Sequence, residues 1–221
     1  MDRRTIFNLL LLAPLAGVVA AQPAPAAGVA DAAGDGLEKI RIRAVDSVER
    51  RPGVDWASYT AFLIQPVSVS FSRNWNARDY GRMGLSAAEV GRMRAALAEI
   101  VTAEFAKALP QTGMKQASAA GEGVLAVRAD IIDLVVNAPD TMSPDRTRSY
   151  VMSAGEMRLA LELSDSVTGT VLARARDRKR GPDDDRFVWA NSVYNRTEAE
   201  RAVRGWAAQL TKALESARSG K

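Results

Sequence analysis

The chain has 221 residues, a formal net charge of +4, 47% apolar residues, and neither histidine nor cysteine. That length suits one domain with or without a tail, and the charge is too small to imply nucleic acid as a partner. Without thiols or imidazoles there is no disulfide framework, no Cys nucleophile, no His base and no zinc site of the usual kind; catalysis would need Asp, Glu, Lys, Ser or Tyr, and no motif singles out a catalytic residue, metal site or cofactor.

Arg3 and Arg4 precede a nearly unbroken apolar run from Ile6 to Val19, which ends in the small residues Val19-Ala20-Ala21. This is the layout of a secretory signal peptide over residues 1–21, cleaved near Ala21. Arg3-Arg4-Thr5-Ile6-Phe7 also resembles a twin-arginine export signal; the alternative is an ordinary positively charged start with two adjacent arginines. The apolar run falls short of the about 20 residues a membrane span needs, so no transmembrane helix is expected after cleavage and the expected location is the periplasm. Residues 22–38, rich in Ala, Pro and Gly, read as a flexible linker, and residues 39–221 as a single domain.

Within that domain, Ile40 and Ile42 alternate with arginines and suggest a short edge strand, and Glu49-Arg50-Arg51-Pro52-Gly53 reads as a turn. Thr60 to Phe71 is strand-like, but its apolar parity switches across Pro66, which predicts a bulge or an edge position. Ser72 to Gly84 is a polar loop. Leu85 to Leu109 is the clearest helix: Ser86 and Glu89 form a capping box, Val90, Met93, Leu97, Ile100, Val101 and Phe105 form one stripe, and Pro110 stops it.

Val124 to Val136 is a second strand whose parity changes after Ile131, which predicts another bulge. Asn137 to Ser153 is a long polar connection. Met157, Leu159, Leu161 and Leu163 then alternate with polar residues, Asp165-Ser166-Val167-Thr168-Gly169 breaks the pattern, and Val171, Ala173 and Ala175 resume it. The spacing predicts a β-hairpin with a leucine face and an arginine face. A last helix starts at Asn195 or Thr197, with Ala199, Val203, Trp206, Leu210 and Leu214 on one side. The order predicts an α+β fold: a single mostly antiparallel sheet with two long helices packed on one face.

Four segments stand together in this order: Asp55-Trp56-Ala57-Ser58-Tyr59 before the Pro66 strand; Gly123-Val124-Leu125-Ala126-Val127-Arg128-Ala129 with Asn137-Ala138-Pro139; Asp165-Ser166-Val167-Thr168-Gly169 with Leu172-Ala173-Arg174-Ala175; and the tryptophan-bearing last helix. Together they resemble the bacterial envelope proteins grouped as the domain-of-unknown-function family thirty-three thirteen, over most of the chain after about Pro52. The resemblance implies an exported protein, often a lipoprotein, with no agreed catalytic residues. This chain lacks the cysteine that would carry lipid at the cleavage point, which favours an unanchored periplasmic product.

Three surfaces are candidates for binding. The basic run Arg174, Arg176, Arg178, Lys179 and Arg180 suits phosphate, an anionic lipid head group or a polyanionic glycan, or is a solvated strand face neutralised by nearby acids. No aromatic alternates with these arginines to stack bases, which argues further against nucleic acid. Trp56, Tyr59, Trp75, Tyr80, Trp189 and Tyr194 lie in or beside loops, where they line a cleft for sugar or peptide or else cap the open end of the core. Asp183-Asp184-Asp185 lacks the spaced oxygen ligands of a calcium loop and reads as a charged turn. The leading expectation is an exported, non-enzymatic module that binds an envelope protein or an anionic envelope component. The alternative is a carboxylate- or metal-dependent hydrolase of cell-wall glycan, which needs a facing pair of acids.

Overall fold

Alternation with a period of two builds the sheet, and a helical period builds its cover. The computed structural model describes residues 35–43, 45–80, 84–136, 150–151, 155–180, 188–189 and 192–220. The signal peptide expected over residues 1–21, most of the connection over residues 137–153 and the acidic turn over residues 183–185 lie outside the described residues. In chain order the elements are β1 (Glu38–Ile40), β2 (Ser47–Arg50), β3 (Ala61–Ile64), β4 (Val69–Phe71), α1 (Ala87–Ala108), β5 (Lys115–Gln116), β6 (Val124–Val136), β7 (Tyr150–Val151), β8 (Gly155–Asp165), β9 (Val171–Arg180), β10 (Val188–Trp189) and α2 (Ser192–Arg218).

Strands β1-β2-β9-β8-β6-β3-β5 lie side by side in that order, and β4 also pairs with β6. The pairings from β1 across to β6 are antiparallel, whereas β3 and β4 run parallel to β6. β7 and β10 form a separate two-stranded pair. Both long helices join one core with the sheet, as the α+β reading expects. Glu49 and Arg50, expected in a turn, belong instead to β2, because Val48 has a place on the core side beside Ala175 of β9. The turn itself falls on Pro52 and Gly53.

Ser86 caps α1 as its spacing predicts: its side chain accepts from the Glu89 N–H at 3.2 Å, and Glu89 accepts in return from the Ser86 N–H at 2.8 Å. Leu97, Ile100, Val101 and Phe105 are the buried part of the α1 stripe. On α2 the buried side is Val203, Trp206, Ala207, Leu210, Thr211 and Leu214. Removing such side chains from water supplies much of the fold's stability, about 1.5–3 kcal/mol for each large one.

Both predicted irregularities are present. β3 and β4 share one edge of β6, with Pro66 between them. Asp130 bridges the break by accepting the Ser68 N–H at 2.9 Å, and Arg128 neutralises that buried carboxylate at 2.9 Å. In β6 the register against β8 slips between Ile132 and Val135, and Asp133 takes a φ of 52°. The extra residue keeps both Ile131 and Leu134 in the core.

The hairpin between β8 and β9 closes on Asp165. One oxygen of its carboxylate accepts the N–H groups of Thr168 at 2.8 Å and Val167 at 3.1 Å, and the other accepts the Tyr59 hydroxyl at 3.2 Å. The Thr168 N–H is the largest influence holding this carboxyl below its usual pKa; slight burial opposes it, and the Thr168 hydroxyl, Val167 and Tyr59 add to it. A depressed folded-state pKa means that the native state binds fewer protons, so stability rises with pH across the titration. The contribution is full above the unfolded value of about 3.9 and is lost as pH falls through the folded one. Asp165→Asn is therefore expected to lower the urea midpoint at pH 7 and to narrow the difference from the parent near pH 3. Parallel midpoints at both pH values would show that this carboxylate contributes no charge-dependent stability.

Candidate functional site

A cleft opens where small residues face small residues. Leu159, Leu161 and Leu163 of β8 line the space beneath α2, but beside Leu161 and Leu163 the next strand, β9, presents the small residues Ala175 and Ala173. The helix answers with Ala213, Ser216 and Ala217, which cannot fill the gap. Close packing fails there, and a cavity of about 240 Å³ remains between α2 and the β1, β2 and β9 side of the sheet. Ile40, Ile42, Val45 and Val48 wall it toward the edge, and Trp56 and Trp206 line it from the core. Ile42 is 37% exposed, an unusual amount for a large aliphatic side chain beside a core.

Asp177 closes one end. It is 4% exposed, and its carboxylate accepts the Trp206 indole N–H at 2.7 Å and the Asp46 N–H at 3.2 Å, with the Lys179 ammonium at 3.0 Å. Burying a charge is costly unless it is paired and hydrogen-bonded, and these partners meet both conditions. Arg50 stands at the other end, exposed, where β2 runs beside Ala173. Asp177 is the one acidic side chain among those lining the cleft. The facing carboxylates that a glycan hydrolase requires are therefore not part of this lining.

The basic strand divides by parity. Lys179 shares the cleft side of β9 with Asp177, whereas Arg174, Arg176, Arg178 and Arg180 lie on the opposite face, away from the helices. Arg174 is held by Asp35 at 2.7 Å and Glu162 at 2.9 Å. Partial burial pulls its guanidinium pKa down, but the hydrogen bonds to Glu162 and Asp35 outweigh this and raise it above the ordinary value. Arg178 and Arg180 share the single carboxylate of Glu156, at 3.6 and 3.1 Å, and Arg176 is also engaged. Arg158 pairs with Asp133 at 2.8 Å on the same face. The outcome is a lattice of alternating charges in which Arg178 and Arg180 carry the local positive excess.

Among the described side chains, the aromatic candidates fall into two groups. Trp56 lines the cleft and is 7% exposed, and Tyr59 packs beside it at 6.5 Å between ring centres. Burial is the main cause of the raised Tyr59 pKa, followed by the charge and hydrogen bond of Asp165. Trp75 and Tyr80 instead stack at 5.5 Å, and Phe71 lies against Trp75 at 4.0 Å, with Arg94 over the Phe71 ring. Trp189 sits on β10, and Tyr194 lies near the start of α2; their side chains are outside the described residues.

Asp177, Arg50 and the small α2 residues were not among the sequence candidates. Parity carried the signal for Asp177, since it shares the odd positions of Ala173 and Ala175 within a run read as basic. Nothing local marked Arg50, whose role depends on β2 pairing with a strand more than a hundred residues away.

Among the described residues no helix is long and apolar enough to cross a membrane. None of the curated proteins matches this chain. Among solved structures, the chain is similar to protein XCC0632 from Xanthomonas campestris, with 13% identity and a TM-score of 0.45 over 81% of this chain and 94% of that one. A DUF4136 family protein from Bacteroides thetaiotaomicron shares 12% identity over 83% and 99% of the two chains, with a TM-score of 0.38. The PelC dodecamer from Paraburkholderia phytofirmans shares 12% identity over 76% and 96%, with a TM-score of 0.36. These likenesses are distant, whereas the sequence match to one family spans residues 35–210. The chain belongs to the family described as protein of unknown function (DUF3313).

Proposed function

We propose that this protein is an exported periplasmic module of the cell envelope that binds a ligand or partner without converting it chemically. The observation that carries the reading is the cleft under α2. Its lining is mostly apolar, and its lone carboxylate is already held by Trp206, Asp46 and Lys179. Pre-formed apolar pockets with few polar groups are the usual form of a small-molecule site. A carboxylate acting as general acid or base needs a free face toward substrate, and Asp177 spends its oxygens on structure. Export is supported by the arginine-led apolar run over residues 3–19 and the small residues before Gln22.

Cell fractionation tests the location. Expression of the full chain is expected to yield a product shortened by about the signal length in the periplasmic fraction. Full-length protein held in the inner membrane, or confined to the cytosol, would reject the export reading. Replacing Arg3 and Arg4 together by lysine separates the two routes: export by the twin-arginine route stops, and ordinary secretion continues.

A further inference from the structure

We infer that the cleft takes a single acyl chain carrying one anionic head group, with the chain beneath α2 and the head at Arg50. This deepens the binding reading and rests on it. The cavity of about 240 Å³ exceeds the roughly 150 Å³ of an engineered apolar cavity that binds benzene. Arg50 lies in register with Ala173, and Asp177 is four residues further along β9. At about 3.3 Å per residue the strand positions of Ala173, beside Arg50, and Asp177 stand about 13 Å apart along the cleft. A flexible linear tail suits such a slot better than a rigid ring system. Its floor of alanines and leucines offers no hydrogen bonds for a sugar or peptide.

Charge complementarity fixes the head group. Among the described residues none forms an ion pair with Arg50, although Glu38 lies across from it in the β1 and β2 register. Arg174 turns its guanidinium to the other face of the sheet, onto Asp35 and Glu162, and Asp177 is spent on Trp206 and Lys179. A carboxylate or phosphate at the Arg50 end thus meets a guanidinium of the lining that no described residue pairs. The same end would repel a cationic head, while the far end is already neutralised. Ile42, exposed on the edge wall of the cleft, has apolar surface that a bound tail would cover.

The test is calorimetric titration of the delipidated full protein with laurate below its micelle concentration. Dodecanol and dodecyltrimethylammonium serve as neutral and cationic counterparts. The expected result is saturable binding of one laurate per chain, tighter than either counterpart. Ala213→Trp, which fills the slot from an exposed helix position, should abolish binding while the thermal melt stays cooperative. Arg50→Gln should weaken laurate about fivefold and leave dodecanol unchanged. An anionic lysophospholipid arm identifies the source: tighter binding than laurate makes the acyl chain that of a membrane lipid, weaker binding makes it a free fatty acid, and both satisfy the inference. Absent or non-saturable laurate binding overturns it. So does equal affinity for the cationic counterpart, or a dimer that Ala213→Trp converts to monomer without any laurate binding. Because export is read separately by fractionation, a failed titration of an exported protein rejects the ligand class and leaves the location standing.

Discussion

Gly155→Val is expected to abolish cooperative folding. Gly155 opens β8 at a φ of 135°, a backbone setting that side chains rarely tolerate. A Cβ there would overlap the carbonyl oxygen of Val135 and stand 3.0 Å from its carbonyl carbon and 3.2 Å from the Val136 Cα. These are backbone atoms of β6, the long strand that pairs with β8, β3 and β4, so no side chain can swing aside. The clash also falls beside the Asp133 bulge, where the register has already slipped by a residue. Strain of this kind costs upward of about 4 kcal/mol, a large share of the about 5–15 kcal/mol that holds a domain together. Gly155→Ala should lose less, but still about 1–3 kcal/mol. Urea melts followed by circular dichroism decide the point. A Gly155→Ala midpoint close to the parent's would show that β6 and β8 do not approach this closely.

Asp177→Ala is expected to destabilise the fold by about 3 kcal/mol and to loosen the closed end of the cleft. The substitution leaves the Trp206 indole N–H without its acceptor in a side chain that is 3% exposed. It also frees the Asp46 N–H and the Lys179 ammonium. An unsatisfied buried donor costs about 1–3 kcal/mol, which sets the scale. Asp177→Asn keeps an oxygen for Trp206 and should lose only about 1 kcal/mol, with most of that coming from the Lys179 pair. Combining Asp177→Ala with Trp206→Phe should give less than the sum of the two losses, because each removes the same hydrogen bond. Equal losses from the Ala and Asn variants would shift the energy from the hydrogen bond to the charge.

Much of the scaffold was legible because it obeys periodic rules. The α1 cap at Ser86 and Glu89, the hairpin at Asp165 and the parity switches at Pro66 and after Ile131 each follow from local chemistry, and each is present. Strand β2 was not legible, because Ser47–Arg50 has a single strongly apolar residue and owes its strand to distant partners on β9. The cleft was equally hidden. It arises where Ala173 and Ala175 confront Ala213 and Ala217, and packing voids depend on which small residues meet across elements. The arginines of β9 drew notice as a charge run, yet the sequence could not show Glu156 and Glu162 arriving opposite them from β8. Asp177, one acid within that basic run, joins the last helix to the sheet through Trp206.

The claim that unites these features is that the space under α2 is a binding site in an exported protein. Its most direct measurement is the non-denaturing mass of the protein recovered from the periplasm, compared with that of Ala213→Trp. A shortened chain carrying one small-molecule adduct, absent from the variant, is expected. A bare chain in both samples, or an adduct that survives the filled cleft, would contradict it.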